Sequence, residues 1–199
     1  MKCPKCGSKR VARILYGMPA FNEEMQRKIN NEELYLGGCC ISEHDPGYHC
    51  FGCGKDIGSA PVLYSKRGKE DYRDIVRSIR FKEGSHRGGY QEILIKKPRN
   101  QIIINVTLGI HQQLGYLRRE MTEEEWKKLL NRLYTKLYLH EWKKSFVNAN
   151  VLDGKYWELE IKLTDGRVRN YRGSNAFPPH WSELKNTFQP FFKEAEIQL

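Results

Sequence analysis

Apolar and polar residues alternate most clearly in the second half of the chain. From Tyr156 to Leu163 the sequence reads YWELEIKL: Trp157, Leu159, Ile161 and Leu163 fall on one face, and Glu158, Glu160 and Lys162 on the other. That period of two is the mark of a half-buried strand. Ile75 to Lys82, Gln91 to Lys96 and Gln101 to Leu108 alternate or run apolar in a similar way. The turn formers Gly84-Ser-His-Arg-Gly-Gly89 and Lys97-Pro-Arg-Asn100 separate them. A helix is predicted from Thr122, capped with Glu125 three residues on, to about Glu141.

The order then returns. Phe146 to Leu152, Lys155 to Leu163 and Arg167 to Arg172 read as strands, with turns at Asp153-Gly154 and Asp165-Gly166 and a helix beginning near Pro179. Tyr90-Gln-Glu-Ile-Leu-Ile-Lys96 can be laid over Tyr156-Trp-Glu-Leu-Glu-Ile-Lys162, and Trp126 to Leu133 over Trp181 to Phe188. The fold class is α+β: an antiparallel sheet with two helices on one face. A duplicated βββα unit explains the repeat, and so does the tendency of amphipathic strands and helices to share such residues.

The first part of the chain reads differently. Cys3-Pro-Lys-Cys6-Gly7 and Cys50-Phe-Gly-Cys53-Gly54 have the same form, and two such knuckles make a zinc ribbon. Two residues between thiolates bring both sulfurs to one side of a tight turn, where backbone N–H groups can point at them. The glycine that follows supplies a positive φ. Four thiolates close a tetrahedral site with no open position, which favours structural zinc held by Cys3, Cys6, Cys50 and Cys53. A redox reading of one C-x-x-C needs a preceding strand that Met1 to Cys6 does not offer.

Between the knuckles, Val11 to Tyr16 reads as a strand and Asn22 to Leu34 as a short capped helix. The vicinal Cys39-Cys40 read as small apolar, buried residues after the Gly37-Gly38 turn, with surplus ligands or a redox switch as the other readings. His44 and His49 read as loop residues beside the second knuckle. Lys55 to Lys69 reads as a link rich in turn formers and charge, which places a boundary near residue 65, between a ribbon of residues 1–65 and an α+β domain of residues 66–199.

Glu141-Trp-Lys-Lys144, Val151-Leu-Asp-Gly154, Trp157-Glu-Leu-Glu-Ile161 and Gly173-Ser-Asn-Ala-Phe-Pro178 ending in Trp181 resemble the C-terminal pattern of a group of uncharacterised bacterial proteins. That resemblance implies membership and no chemistry. The knuckles resemble zinc ribbons, a fold used for both nucleic-acid and protein binding.

The chain of 199 residues carries a net charge of +10. Residues 64–100 hold 11 Lys and Arg against 5 Asp and Glu, so this short stretch carries more than half of the excess. Arg73, Arg77, Arg80, Lys82, Arg87, Lys96, Lys97 and Arg99 form a candidate stripe for phosphates, with Tyr72 and Tyr90 for base stacking. A solvated, aggregation-resisting face is the competing reading. No secretory h-region and no run of 18 apolar residues is present, so a cytoplasmic protein without a membrane partner is expected. In a reducing compartment disulfides are the least favoured use of the six cysteines.

Catalytic constellations are weak. His140-Glu-Trp-Lys-Lys144 begins like H-E-x-x-H but ends in lysine. Asp153, Glu160 and Lys162 have the residue types of a metal-dependent nuclease, yet Glu160 and Lys162 also fit the polar face of a strand. The sequence therefore favours a non-enzymatic binding or adaptor protein, with nucleic acid as the first partner class and protein as the second. A metal-dependent hydrolase or nuclease is the alternative.

Overall fold

The computed structural model describes residues 1–42, 44–85, 88–99, 101–110, 113–151 and 154–196, and at 65, 110, 113 and 114 the backbone alone. The first four strands are β1 (Val11–Leu15), β2 (Leu34–Leu36), β3 (Tyr48–Cys50) and β4 (Lys55–Ile57), in the spatial order β2-β1-β3-β4. Helix α1 (Glu23–Asn30) starts where expected, because the Asn22 side chain accepts the Met25 N–H at 2.8 Å. It ends four residues earlier than the sequence predicts. Glu32 turns left-handed at φ 58°, and Leu34–Leu36 pair parallel with Arg13–Leu15 instead of continuing the helix.

The stretch read as a link is more ordered than expected. It contains β4 and most of a hairpin, β5 (Val62–Ser65) with β6 (Gly68–Asp71), leading into a single helical turn, α2 (Tyr72–Ile75).

The main body is a seven-stranded sheet. Its strands are β7 (Val76–Ser85), β8 (Gly89–Lys96), β9 (Ile103–Ile110), β10 (Gln113–Glu120), β11 (Ser145–Val147), β12 (Lys155–Leu163) and β13 (Val168–Ser174), in the order β10-β9-β8-β7-β12-β13-β11. The strands-then-helix order recurs as read, but the two halves are wired differently. The first is a four-strand meander, whereas in the second β12 and β13 form an antiparallel pair and β11 runs parallel to β13 at the edge. The sequence pattern does not announce strand β10, because Gly115 and the pair Arg118-Arg119 break its apolar signal.

Two helices, α3 (Glu123–Asn131) and α4 (Trp181–Glu196), cover one face of this sheet. The capping box forms as predicted: Glu125 N–H donates to Thr122 Oγ1 at 3.1 Å, and Thr122 N–H donates to Glu125 Oε2 at 2.8 Å. The helix does not run to Glu141. It widens into a π-turn at Arg132–Lys136, passes the left-handed Tyr138 and closes in a 3-10 turn at Leu139–Glu141.

Buried residues of six strands and of both helices form one core. Phe81 stacks on Phe188 with centroids 4.8 Å apart, and Ile79, Ile95, Ile104, Leu159 and Ile161 are fully buried around them. Trp157 lies across Gly173 on the next strand and donates its indole N–H to the Ala176 carbonyl at 2.9 Å. A Cβ at Gly173 would sit 2.0 Å from the indole nitrogen, so only glycine fits there. With Trp181 packed on Trp157 at 5.1 Å, much of the C-terminal motif is thereby accounted for as packing.

A second, smaller core of Cys3, Cys50 and Ile57, flanked by Val11 and Tyr48, belongs to the ribbon. Ribbon and body touch at several points. Gly58 N–H donates to Glu141 Oε1 at 3.0 Å, His180 Nε2 donates to the Lys2 carbonyl at 3.1 Å, and Gly7 lies against Pro179.

Candidate metal centre

The two knuckles fold as near copies. Gly7 N–H donates to the Cys3 carbonyl at 2.9 Å, and Gly54 N–H donates to the Cys50 carbonyl at 2.8 Å. Both glycines take positive φ, 78° and 65°, which a side chain resists. The N–H groups of Lys5 and Cys6 point at the Cys3 sulfur, and those of Gly52 and Cys53 point at the Cys50 sulfur. Two-residue spacing therefore positions donors for anionic sulfur before any metal is considered.

Strands β1 and β3 bring the knuckles face to face through the pair Val11 and Cys50. All four sulfurs lie within 4.8 Å of one another, with Cys3 to Cys53 at 3.8 Å and Cys6 to Cys50 at 3.7 Å. A tetrahedron with Zn–S bonds of about 2.3 Å has S···S edges of about 3.8 Å, so the set fits a four-thiolate ion. Burial pushes the Cys3 thiol up to about 12, against the pull of the Cys6 and Lys5 N–H groups. At Cys50 burial also raises the pKa, but the N–H groups of Cys53 and Gly52 and its sulfur neighbours outweigh it and the net shift is downward. These four residues could hold a metal ion.

Cys39 and Cys40 do not join the cluster. Their sulfurs are 3.9 Å apart and both side chains are exposed, which corrects the expectation of buried apolar residues. The Gly38 carbonyl accepts the Gly17 N–H at 3.1 Å, leaving this loop at the rim of the ribbon, away from its core. His49 lies in β3 rather than a loop. It stacks on Tyr35 at 3.8 Å and bonds Asp56 at 2.7 Å.

The basic stripe divides. Arg73, Arg77, Lys97 and Arg99 line one cleft of about 660 Å³, beside α3. Arg80, Lys82 and Lys96 sit on the opposite, open face of the sheet. There Glu92 binds Arg80 through two hydrogen bonds, and the Lys82 ammonium lies over Tyr90 at 5.1 Å. Arg87 lies outside the described residues. The tyrosines do not serve the cleft: Tyr72 is buried and stacked on Tyr134, and Tyr90 lies on the open face over Gly109.

Arg77 lies on the helix-covered face of β7, two residues from the buried Ile79, and so reaches the cleft. Ser78 pairs with Lys162 and Val76 with Leu163, a bulge that leaves Arg77 without a register partner on β12, while on the other side its carbonyl accepts the Lys97 N–H at 2.9 Å. Arg99 is held at φ 52°, and α3 adds Lys127, which the reading of the stripe missed because it lies on another element. Within the cleft Lys97 is paired with Glu123 at 2.8 Å, while Arg73 is held by Asp71 and donates to Asn131 at 3.0 Å. Arg77, Arg99 and Lys127 have no ion-pair partner among the described residues.

Of the nuclease candidates, Asp153 lies outside the described residues. Glu160 and Lys162 share the open face and pair with each other at 3.3 Å. The cysteine set is the one cluster of metal-ligating side chains found among the described residues. No described helix is long and apolar enough to cross a membrane. No family model matches the chain, no curated protein sequence matches it, and no solved structure matches its fold. The C-terminal resemblance therefore remains without a matching family.

Proposed function

We propose that this is a zinc-ribbon protein that binds the phosphate backbone of nucleic acid in the cleft between β7 and α3, as a binding or adaptor protein rather than an enzyme. Zinc is the ion that suits four thiolates at these spacings, and its role is structural, since no position is left open for water or substrate. The observation that carries the partner class is the convergence of Arg77 from β7, Arg99 and Lys127 from α3 on one concavity. Arg99 and Lys127 face the same space without acidic partners among the described residues. No exposed aromatic ring lines the cleft, so recognition is of backbone charge and carries no base preference.

Fluorescence anisotropy with labelled oligonucleotides, at low and moderate salt, tests this reading. Wild type should bind with an affinity that falls steeply as salt rises. Arg77→Glu with Lys127→Glu should abolish binding and leave the zinc content unchanged. Lys96→Glu, on the open face, should leave binding nearly intact. Absence of binding at low salt, or equal loss in the Lys96 variant, would refute the cleft and turn the search to a protein partner.

A further inference from the structure

A second concavity, of about 990 Å³, lies where the ribbon meets the body. Its ribbon wall carries Lys2 and Lys9, and its other wall carries Lys128, Arg132 and Lys136 from α3 and the π-turn. All five are exposed, and Glu183 is the one carboxylate among the described lining residues. Lys128 pairs with Glu124, but both side chains are about three-quarters exposed, a setting in which a pair contributes little.

Asn131 lines this cleft and the first one. It stands between Lys127, which faces the first, and Arg132, which faces the second. We propose that the two clefts are one continuous track for single-stranded nucleic acid, crossing α3 at Asn131 and ending against the zinc ribbon. This rests on the backbone-binding reading of the first cleft and specifies its ligand.

The strand is single because the track bends over a helix. Duplex DNA has a persistence length of about 50 nm and stays straight over such a distance, whereas a single strand follows the surface. The ribbon is part of the track because its metal knuckle sets the positions of both lysines. Lys2 and Lys9 flank that knuckle, whose ends are joined by the Cys3 N–H to Ser8 carbonyl bond at 2.9 Å. His180 fixes the Lys2 carbonyl from the body side.

The experiment compares oligo(dT) of about four and about sixteen nucleotides, spanning the range of single-strand site sizes. The proteins are the zinc-loaded full chain, Lys9→Glu with Lys136→Glu, and Arg77→Glu with Lys127→Glu. Both Lys9 and Lys136 are exposed, so the first pair of changes should keep zinc content and thermal transition. The expected result is that this variant binds the long oligonucleotide about tenfold more weakly, with the short one unaffected. Its salt slope for the long one should shrink by about 1.4 units, two phosphate contacts at about 0.7 each. Unchanged long-strand binding in this variant, with loss in the Arg77 variant, would overturn the track and leave the first cleft standing. Binding of neither length by wild type would overturn the first cleft, and the track with it.

Discussion

Glu141 accepts the backbone N–H of Gly58 at 3.0 Å, across the seam between the ribbon and the α+β body. The same oxygen receives the Ser59 hydroxyl at 3.5 Å, and the carboxylate is 8% exposed. Burial raises its pKa, while the Gly58 N–H and the Lys5 ammonium act the other way. Glu141→Ala should leave the half-buried Gly58 donor without this partner, costing about 1 kcal/mol. Glu141→Gln keeps an oxygen acceptor and should cost less. Urea denaturation at neutral pH separates the two, and an equal cost for both would show that charge rather than the acceptor matters at this seam.

One zinc per chain should be found in the purified protein, and Cys50→Ser should lose it. The ribbon's small core contains Cys3 and Cys50 themselves, so loss of the ion removes folding free energy along with the ligand. Cys39→Ser and Cys40→Ser, changed on the exposed loop, should retain full metal content. Elemental analysis of the three variants decides the ligand set.

The body should fold without the ribbon, because its core cluster contains no cysteine. The boundary we propose for such a truncation lies before Pro61 rather than after residue 65. Residue 65 ends β5, whose partner β6 follows it, and Leu63 packs against the main core. Residues 61–199 should show one cooperative thermal transition insensitive to chelators. A chain that melts without cooperativity would mean that the ribbon completes the body.

His140 should make the protein acid-sensitive. Its ring lies beside the stacked Tyr72 and Tyr134, and burial pushes its pKa down to about 4, against the opposing effects of the Ser59 backbone and Asp71. Lys5 adds to the depression, and Glu141 lies 3.8 Å from its Nε2. A depressed folded pKa means that the unfolded chain takes up the proton first. The stability contribution is whole above about 6.5 and is lost as pH falls towards 4, by about 3 kcal/mol. Glu141, with its raised pKa, works in the opposite sense. Melting wild type and His140→Phe across this range should show wild type losing more stability on acidification, and parallel curves would refute the assignment.

What the sequence by itself determined is local. Two residues between cysteines and a glycine after each pair specify the knuckle, because the whole turn is closed within five residues. The alternation from Tyr156 to Leu163 specifies which face of β12 is buried, and Thr122 with Glu125 specifies where α3 starts, since both depend on neighbours a few positions apart. Tertiary structure decided the rest. Nothing near Glu141 in the chain announces Gly58, 83 residues away, and the end of α3 at Asn131 depends on how the following turn packs onto the body. The basic residues show the division most plainly. Arg77 and Arg80 are three positions apart, so strand alternation already puts them on opposite faces, but only the packing of α3 turns one of those faces into a cleft. Lys127, fifty positions from Arg77, joins it instead. Charge is legible in a sequence, but which charges share a concavity follows from strand register and layer order, and those are properties of the assembled sheet.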